Sequence, residues 1–547
     1  MLVIMLVKLF AVNGDRVLSI RCCSVRKQER SSMKIQKRHV RLFHFARCHN
    51  VEILFKSRRE ASPPSAVTDP TPPSPPPAAA AVDSGLKVAD LDAQRFRLHP
   101  SVAYWQNFKS YANTLFADTD MSLTDSVQQL VRQAADSAVL RDPHAATYWT
   151  YHSARLTFFV GQAVTGLLAH HLAETLPSNL PGFSSWLTSS TTSGLRSTSA
   201  QTSANITTGA GFKTPLERIL SNAGQEMMTR VAEALAAFQQ DYDNIRGGYY
   251  PLPWDMSPRH RQNNPLFMLV RTAQSVREST ATLRRRVRSQ AEPVWLSSSL
   301  YPQYYTNTFH YQTDGWLSDR SARIYEHNTE LLFFGRQDAM QRTSLIPISE
   351  YVREAELGGR GVSELRLLEV AAGTGRFHTF IKDAYPSLPS VISDLSPFYL
   401  ARARENMRYW RDLRQPGRGL GGVDDTGVTQ FLQTAAEDID AADNQFDILV
   451  CVYLFHELPE AIRRRAASEF FRVLKPGGLL VVTDSVQLGD RPEWDKNLNL
   501  FGDFNEPYYR SYTSCDLGAM FEAAGFECDT KYLCSATKTL SFRKARE

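Results

Sequence analysis

Hydrophobic positions along the chain change their spacing twice. From about Asp90 to Arg288 apolar residues recur at helical intervals. Leu123, Val127, Leu130, Val131, Ala134, Ala138 and Val139 mark one helix face, and a second helix is expected from roughly Tyr148 to Glu174. The apolar stretch within it, Leu156–Ala169, is 14 residues long and contains Gln162 and Thr165. It is too short to span a bilayer and predicts a buried core helix. Thr214-Pro215-Leu216-Glu217 forms a capping box with proline at the first helical position, opening a helix that runs to about Asp243. The last helix of the block carries arginines 271, 277, 284, 285, 286 and 288, expected as a solvated face.

After Leu365 the pattern becomes that of alternating strands and helices. Leu365–Val370 is an apolar run interrupted by Arg366 and Glu369, and Ala371-Ala372-Gly373-Thr374-Gly375 follows as a turn. Arg376–Ala384 has helical spacing, and Ser390–Ser393 predicts a short strand ending in Asp394. Further strands are expected around Phe431-Leu432, over the two-faced apolar run Phe446–Val452, and from Leu479 to Thr483 after the Leu474-Lys475-Pro476-Gly477-Gly478 turn. The expected fold is α/β: an open sheet with helices on both faces, preceded by a mostly α-helical region. The boundaries run 1–60 for a basic tail, 61–85 for a proline/alanine-rich linker, and 86–300 for the helical region with a mobile Ser/Thr/Gly-rich insertion at 184–211. A cap segment at 301–360 and the α/β domain at 361–547 complete the chain.

The first βαβ unit has the chemistry of a nucleoside site. Gly373 and Gly375 allow a ligand to lie directly on the backbone, and the following helix presents unpaired N–H groups. Asp394 lies at the spacing from the turn at which a carboxylate accepts ribose hydroxyls. A dinucleotide fingerprint requires a third glycine where His378 stands, which disfavours a nicotinamide oxidoreductase. An acid closing the first strand, Glu369, suits a ligand with a cationic amino group.

Acid, glycine turn and second acid together resemble the class I S-adenosylmethionine-dependent methyltransferases, whose pattern is E/D-x-G-x-G-x-G; Ala371 replaces the first glycine. The resemblance covers about residues 361–547 and implies a Rossmann-like sheet and S-adenosyl-L-methionine as methyl donor. It implies that Glu369, Ala371, Gly373, Gly375, Asp394 and Leu395 surround the donor, with Ala436, Glu437 and Val452 on the later loops. Ala435-Ala436-Glu437-Asp438 matches the loop that contacts adenine, where many relatives have Asp in place of Ala435; the amino-group contact then falls to Glu437, Asp438 or backbone. The Leu474–Gly478 turn is a frequent companion of small-molecule methyltransferases, including those of ubiquinone and menaquinone biosynthesis. Tyr453-Leu454-Phe455-His456 departs from the loop of amino-methylating DNA enzymes.

A small, partly apolar acceptor fits an aromatic lid at Asp484–Tyr512, with Tyr453, Tyr508 and Tyr509 as candidate contacts. Tyr301–Arg336 is dense in aromatics and serves equally as a cap over the donor, with His310, Tyr311 and Asp314 of interest, or as packing between domains. Methylation at oxygen or carbon needs a base, for which His456 and His310 are candidates. His456 has a second reading, as a loop residue bonded to its own helix start. A non-catalytic binding module on the same fold is the rival to an enzyme.

Charge and cysteines narrow the picture. The formal net charge is +5, but residues 1–60 hold fourteen Lys/Arg against four Asp/Glu, so the remainder is mildly acidic. That distribution argues against nucleic acid as partner. The acid-poor, basic start resembles an organelle transit peptide, mitochondrial or plastid, while Met33 as the true start is the alternative. Seven cysteines without a C-x-x-C pair suit a reducing compartment and no zinc ribbon.

Overall fold

The computed structural model describes residues 86–111, 142–175, 215–288, 301–306, 314–414, 428–498 and 506–546. The expected helix through Leu123–Val139, the tail, the linker and the 184–211 insertion lie outside these residues, as do His310 and Tyr311. Leu86–Glu547 forms one unit that contains every described residue.

Eight strands build a single sheet. They are β1 (Arg97–Leu98), β2 (Leu367–Val370), β3 (Ser390–Asp394), β4 (Thr429–Gln433), β5 (Phe446–Val452), β6 (Leu474–Ser485), β7 (Phe526–Cys534) and β8 (Thr537–Lys544). Their spatial order is β1-β7-β8-β6-β5-β2-β3-β4. All neighbours run parallel except β8, which is antiparallel to both β6 and β7.

The helices, in chain order, are α1 (Val88–Arg95), α2 (Pro100–Gln106), α3 (Pro143–Thr175), α4 (Pro215–Arg246), α5 (Pro265–Arg288), α6 (Asp319–Leu332), α7 (Gln337–Arg342) and α8 (Leu345–Leu357). Then come α9 (Arg376–Ala384), α10 (Pro397–Arg414), α11 (Glu460–Val473), α12 (Asp495–Leu498), α13 (Tyr509–Thr513) and α14 (Leu517–Ala523).

The period-2 pattern of the central strands decides which core each residue enters. Leu367, Ile448, Val450, Leu479 and Val481 face one way, onto Phe377 and Ile381 of α9 and Leu400 of α10. Their neighbours Leu368, Leu449, Cys451, Leu480 and Val482 face the other, onto Phe470 of α11 and Phe521 of α14. Burial on both faces is the condition for a parallel sheet, and it explains the unbroken apolar reading of β5.

A third core joins the helical region to the sheet: Tyr148 of α3, Phe238 of α4 and Met340 of α7 pack with Val486, Leu533 and Cys534. Buried ion pairs tie the same joint. Arg342 donates to both oxygens of Asp241 (2.9 and 2.6 Å), which also accepts from Tyr148 and Tyr250. Glu233 of α4 receives Arg491 at 2.6 Å.

Within the region expected to be mostly helical, one short strand stands. Arg97 and Leu98 pair in parallel with Thr530 and Lys531 and extend the sheet. Two residues carry no periodicity, so this strand exists only because α1 is anchored beside it. Asp92 of α1 accepts from Lys531 (2.7 Å) and Lys538 (2.9 Å), all three fully buried. Removing one partner of such a cluster leaves a buried charge unpaired and costs about 3–5 kcal/mol.

Candidate functional site

The carboxyl ends of β2, β3 and β5 open into a cleft of about 1150 Å³, its mouth included. Its floor is the turn between β2 and α9. Gly373 and Gly375 are both left-handed, with φ of +56° and +66°. A Cβ on Gly375 would come within 2.9 Å of the Ala403 Cβ, so glycine there lets α10 lie against the turn. Ala371, at the position where the pattern has glycine, is also left-handed with φ 54°. That conformation costs an L-residue about 1–2 kcal/mol. Tyr453, across the cleft at the end of β5, is left-handed as well (φ 57°), so backbone strain sits on both walls. Ala371→Gly is expected to leave stability unchanged or raise it by up to about 1 kcal/mol, after the entropy of the freer unfolded chain is subtracted. A lowered thermal midpoint would mean that the Ala371 methyl group packs usefully.

Asp394 stands at the tip of β3. One carboxyl oxygen accepts from the Gly373 N–H and the other from the Ser396 N–H, both at 2.8 Å. Burial raises its pKa to about 6, partly offset by those backbone donors. Each oxygen keeps a further lone pair for a ligand hydroxyl. Asp394 therefore lines the cleft and also closes the turn into α10.

Glu369 is 1 % exposed, and its Oε2 lies 2.8 Å from His378 Nδ1. Burial, then the nearby Asp394, pushes the Glu369 carboxyl well up; burial, then Lys382, brings the His378 imidazole down to about 3. Both shifts favour the uncharged forms of the two groups, and the other ring nitrogen, Nε2, lies 2.8 Å from Ser390 Oγ. His378 thus occupies the third-glycine position in order to hold this strand-end acid.

Ala371, Gly373, Leu395, Ala436 and Val452 line the cleft with Glu369 and Asp394. Gly375 does not; it works from behind, through Ala403. Glu437 does not either, because its Oε1 accepts from Tyr304 Oη at 2.6 Å. Thr434, Ala435 and Ala436 are left to flank that end of the cleft.

His456 is not among the cleft-lining residues; its neighbour Glu457 is. His456 Nδ1 lies 2.5 Å from Asp484 Oδ1 and Nε2 lies 3.5 Å from Glu457 Oε1. Burial alone would lower its pKa, but the two carboxyls hold it well above the usual value. Two acids flank the His456 imidazole, and of these two neighbours Glu457 is the one that lines the cleft.

The aromatic residues are also redistributed. Tyr453 lines the cleft, with its hydroxyl 2.6 Å from Thr537 Oγ1. Tyr508 and Tyr509 do not line it. The Tyr509 ring stands 5.9 Å behind His456 and its hydroxyl reaches Ser485 Oγ at 2.7 Å, while the Tyr508 carbonyl accepts from Arg463. Trp494 is packed under the Arg491 guanidinium. The aromatic wall comes instead from the segment before the domain. Trp316, Tyr325 and Tyr399 make mutual edge contacts at 5.4–5.6 Å, and Tyr304 and Tyr305 line the same cleft. The density of Tyr and Trp at 301–325 was the available signal.

Among the described residues no group of three His, Cys, Asp or Glu is arranged to hold a metal, and no helix is long and apolar enough to cross a membrane.

A family model described as a methyltransferase domain matches residues 367–478. An uncharacterized methyltransferase from Synechocystis is 23% identical over 168 residues, covering 31% of this chain and 69% of that protein. A ubiquinone/menaquinone biosynthesis C-methyltransferase, UbiE, from Syntrophotalea carbinolica is 32% identical over 171 residues, covering 31% of this chain and 60% of that protein. Of four relatives of the quinone-biosynthesis type, the chain spans between 39% and 60% of their length. A crystal structure of an S-adenosylmethionine-dependent methyltransferase from Methanosarcina mazei aligns with 34% of this chain and 93% of that one, at 19% identity and a TM-score of 0.26.

Proposed function

This chain carries a class I S-adenosylmethionine-dependent methyltransferase domain, and we propose that it methylates a carbon or oxygen atom of a small, partly apolar acceptor. The observation that carries this reading is that Glu457 lines the cleft with His456 beside it and Asp484 beyond, Nε2 3.5 Å from Glu457 Oε1 and Nδ1 2.5 Å from Asp484 Oδ1.

The residues present fit the donor. Thr374 Oγ1 is buried at the glycine turn without a hydrogen-bond partner, and Asp394 retains lone pairs toward the cleft. Asp394 would hold the ribose hydroxyls, and the backbone around Thr434–Ala436 would flank the base. S-adenosylmethionine supplies an electrophilic methyl group on a sulfonium.

The chain's own work is positioning and proton removal. Holding the acceptor in line with the methyl group supplies much of the rate. An acceptor O–H or C–H must also lose its proton, and Glu457 takes it. The His456 imidazolium orients Glu457, and Asp484 fixes the ring by accepting from Nδ1. Asp484 Oδ2 also accepts the Phe455 N–H at 2.7 Å, which anchors the loop. Trp316, Tyr325 and Tyr305 line the cleft and exclude water around a flat, apolar acceptor.

Incubation of the purified protein and methyl-labelled S-adenosylmethionine with a metabolite extract tests the reading. Label is expected in an extractable small molecule. Label confined to protein or nucleic acid, or absent altogether, would overturn it.

A further inference from the structure

Glu369, the acid expected to meet a cationic amine, lines the cleft but places one carboxyl oxygen against His378, and burial with the nearby Asp394 pushes its carboxyl well up. The same cleft has another acid. Glu330, near the end of α6, is 4 % exposed and lines the cleft; its Oε2 is ion-paired with Arg155, and its Oε1 has no hydrogen-bond partner. Beside it on α7, Gln337 and Gln341 are 5 % and 8 % exposed, line the cleft, and each leaves its Oε1 without a partner. Buried acceptors left unpaired cost free energy, so three side chains with orphaned oxygens on one wall call for a donor-rich ligand.

The surrounding charges say which donor. Arg376, at the first position of α9, contacts Asp255 and Asp338, and Arg155 of α3 lies 3.2 Å from Glu330. Two guanidinium groups thus stand against Asp255 and Asp338, with Glu330 as a further acid. An ammonium group offers three N–H donors and no acceptor, matching both the orphaned oxygens and the charge.

We propose that Glu330, Gln337 and Gln341 bind the ammonium group at the methionyl end of the donor. This rests on the methyltransferase reading above and adds a contact from the cap helices to that of the strand-end acid. The pocket has its own proton signature. Burial, then Asp338, raises the empty-cleft pKa of Glu330 to about 8, against Arg155 and Arg376, which lower it. Near pH 7 the carboxyl is therefore mostly protonated, and a bound ammonium favours its ionised form. Binding should release close to one proton, and the release should vanish well above pH 8.

Calorimetry on the full-length protein compares S-adenosylhomocysteine with 5′-methylthioadenosine, which keeps the adenosine and sulfur and lacks the amino-acid end. Glu330→Gln should weaken S-adenosylhomocysteine by about 10- to 100-fold, leave methylthioadenosine unchanged and abolish proton release. Gln341→Met, which keeps the charge, should give a smaller loss with the same ligand selectivity and retain the proton release. Equal losses for both ligands, or no loss for either, would overturn the assignment. A wild-type protein that binds neither nucleoside would overturn the methyltransferase reading and this proposal with it.

Discussion

Glu457→Gln is expected to lower kcat by about 10²- to 10⁴-fold, the usual worth of a positioned general base. S-adenosylhomocysteine affinity and thermal midpoint should change little, because the amide keeps the shape of the carboxyl. The neighbouring His456→Asn should cost less in kcat, since it removes an orienting cation rather than the proton acceptor. It should also lower the thermal midpoint, because Asp484 would keep its buried charge without the imidazolium. A fully active Glu457→Gln enzyme, or a His456 variant with much the larger loss in kcat, would return the base to His456.

Asp394→Ala is expected to weaken S-adenosylhomocysteine binding by about 10- to 150-fold, through loss of charge-assisted bonds to the ribose hydroxyls. From the sequence, the apo-protein is expected to melt nearly unchanged. The carboxyl's bonds to the Gly373 and Ser396 N–H groups change that expectation: a stability loss of about 0.5–2 kcal/mol should accompany the binding loss. The pH dependence separates the two roles. Burial raises the Asp394 pKa to about 6 from an ordinary value near 4, so its contribution to folding is present below pH 4 and lost as pH rises through 6. The ionised carboxylate is the form that accepts two hydroxyls, so nucleoside affinity should fall as pH drops through 6. Titration calorimetry between pH 5 and 8 checks this; affinity that is flat in the wild type and matches the Ala variant would remove Asp394 from the ligand.

What the sequence determined was everything carried by short-range pattern. The helix Arg376–Ala384 and the strand Ser390–Asp394 appear with the bounds read from the residues, because spacing of 3.6 and 2 selects the buried face locally. The glycine turn was equally legible, since positive φ is written into residue type at Gly373 and Gly375. The parallel sheet followed from strands apolar on both faces.

Tertiary structure decided the rest, wherever meaning depended on a partner far away in the chain. Arg97-Leu98 is a strand only because Asp92 meets Lys531 and Lys538. His456 and Glu457 are adjacent in sequence, and the position of Asp484, 28 residues on, makes one the imidazolium and the other the cleft-facing acid. Glu369 carried the expected signal for a cation, but burial and the nearby Asp394 push its carboxyl up, and its Oε2 lies against His378, nine residues later. Glu330 carried no signal, because an acid near the end of an amphipathic helix ordinarily faces solvent; here α3, α7 and α9 bring their charges around it. Periodicity tells which face of an element is buried, but which charges share a low-dielectric pocket is fixed only when the elements pack.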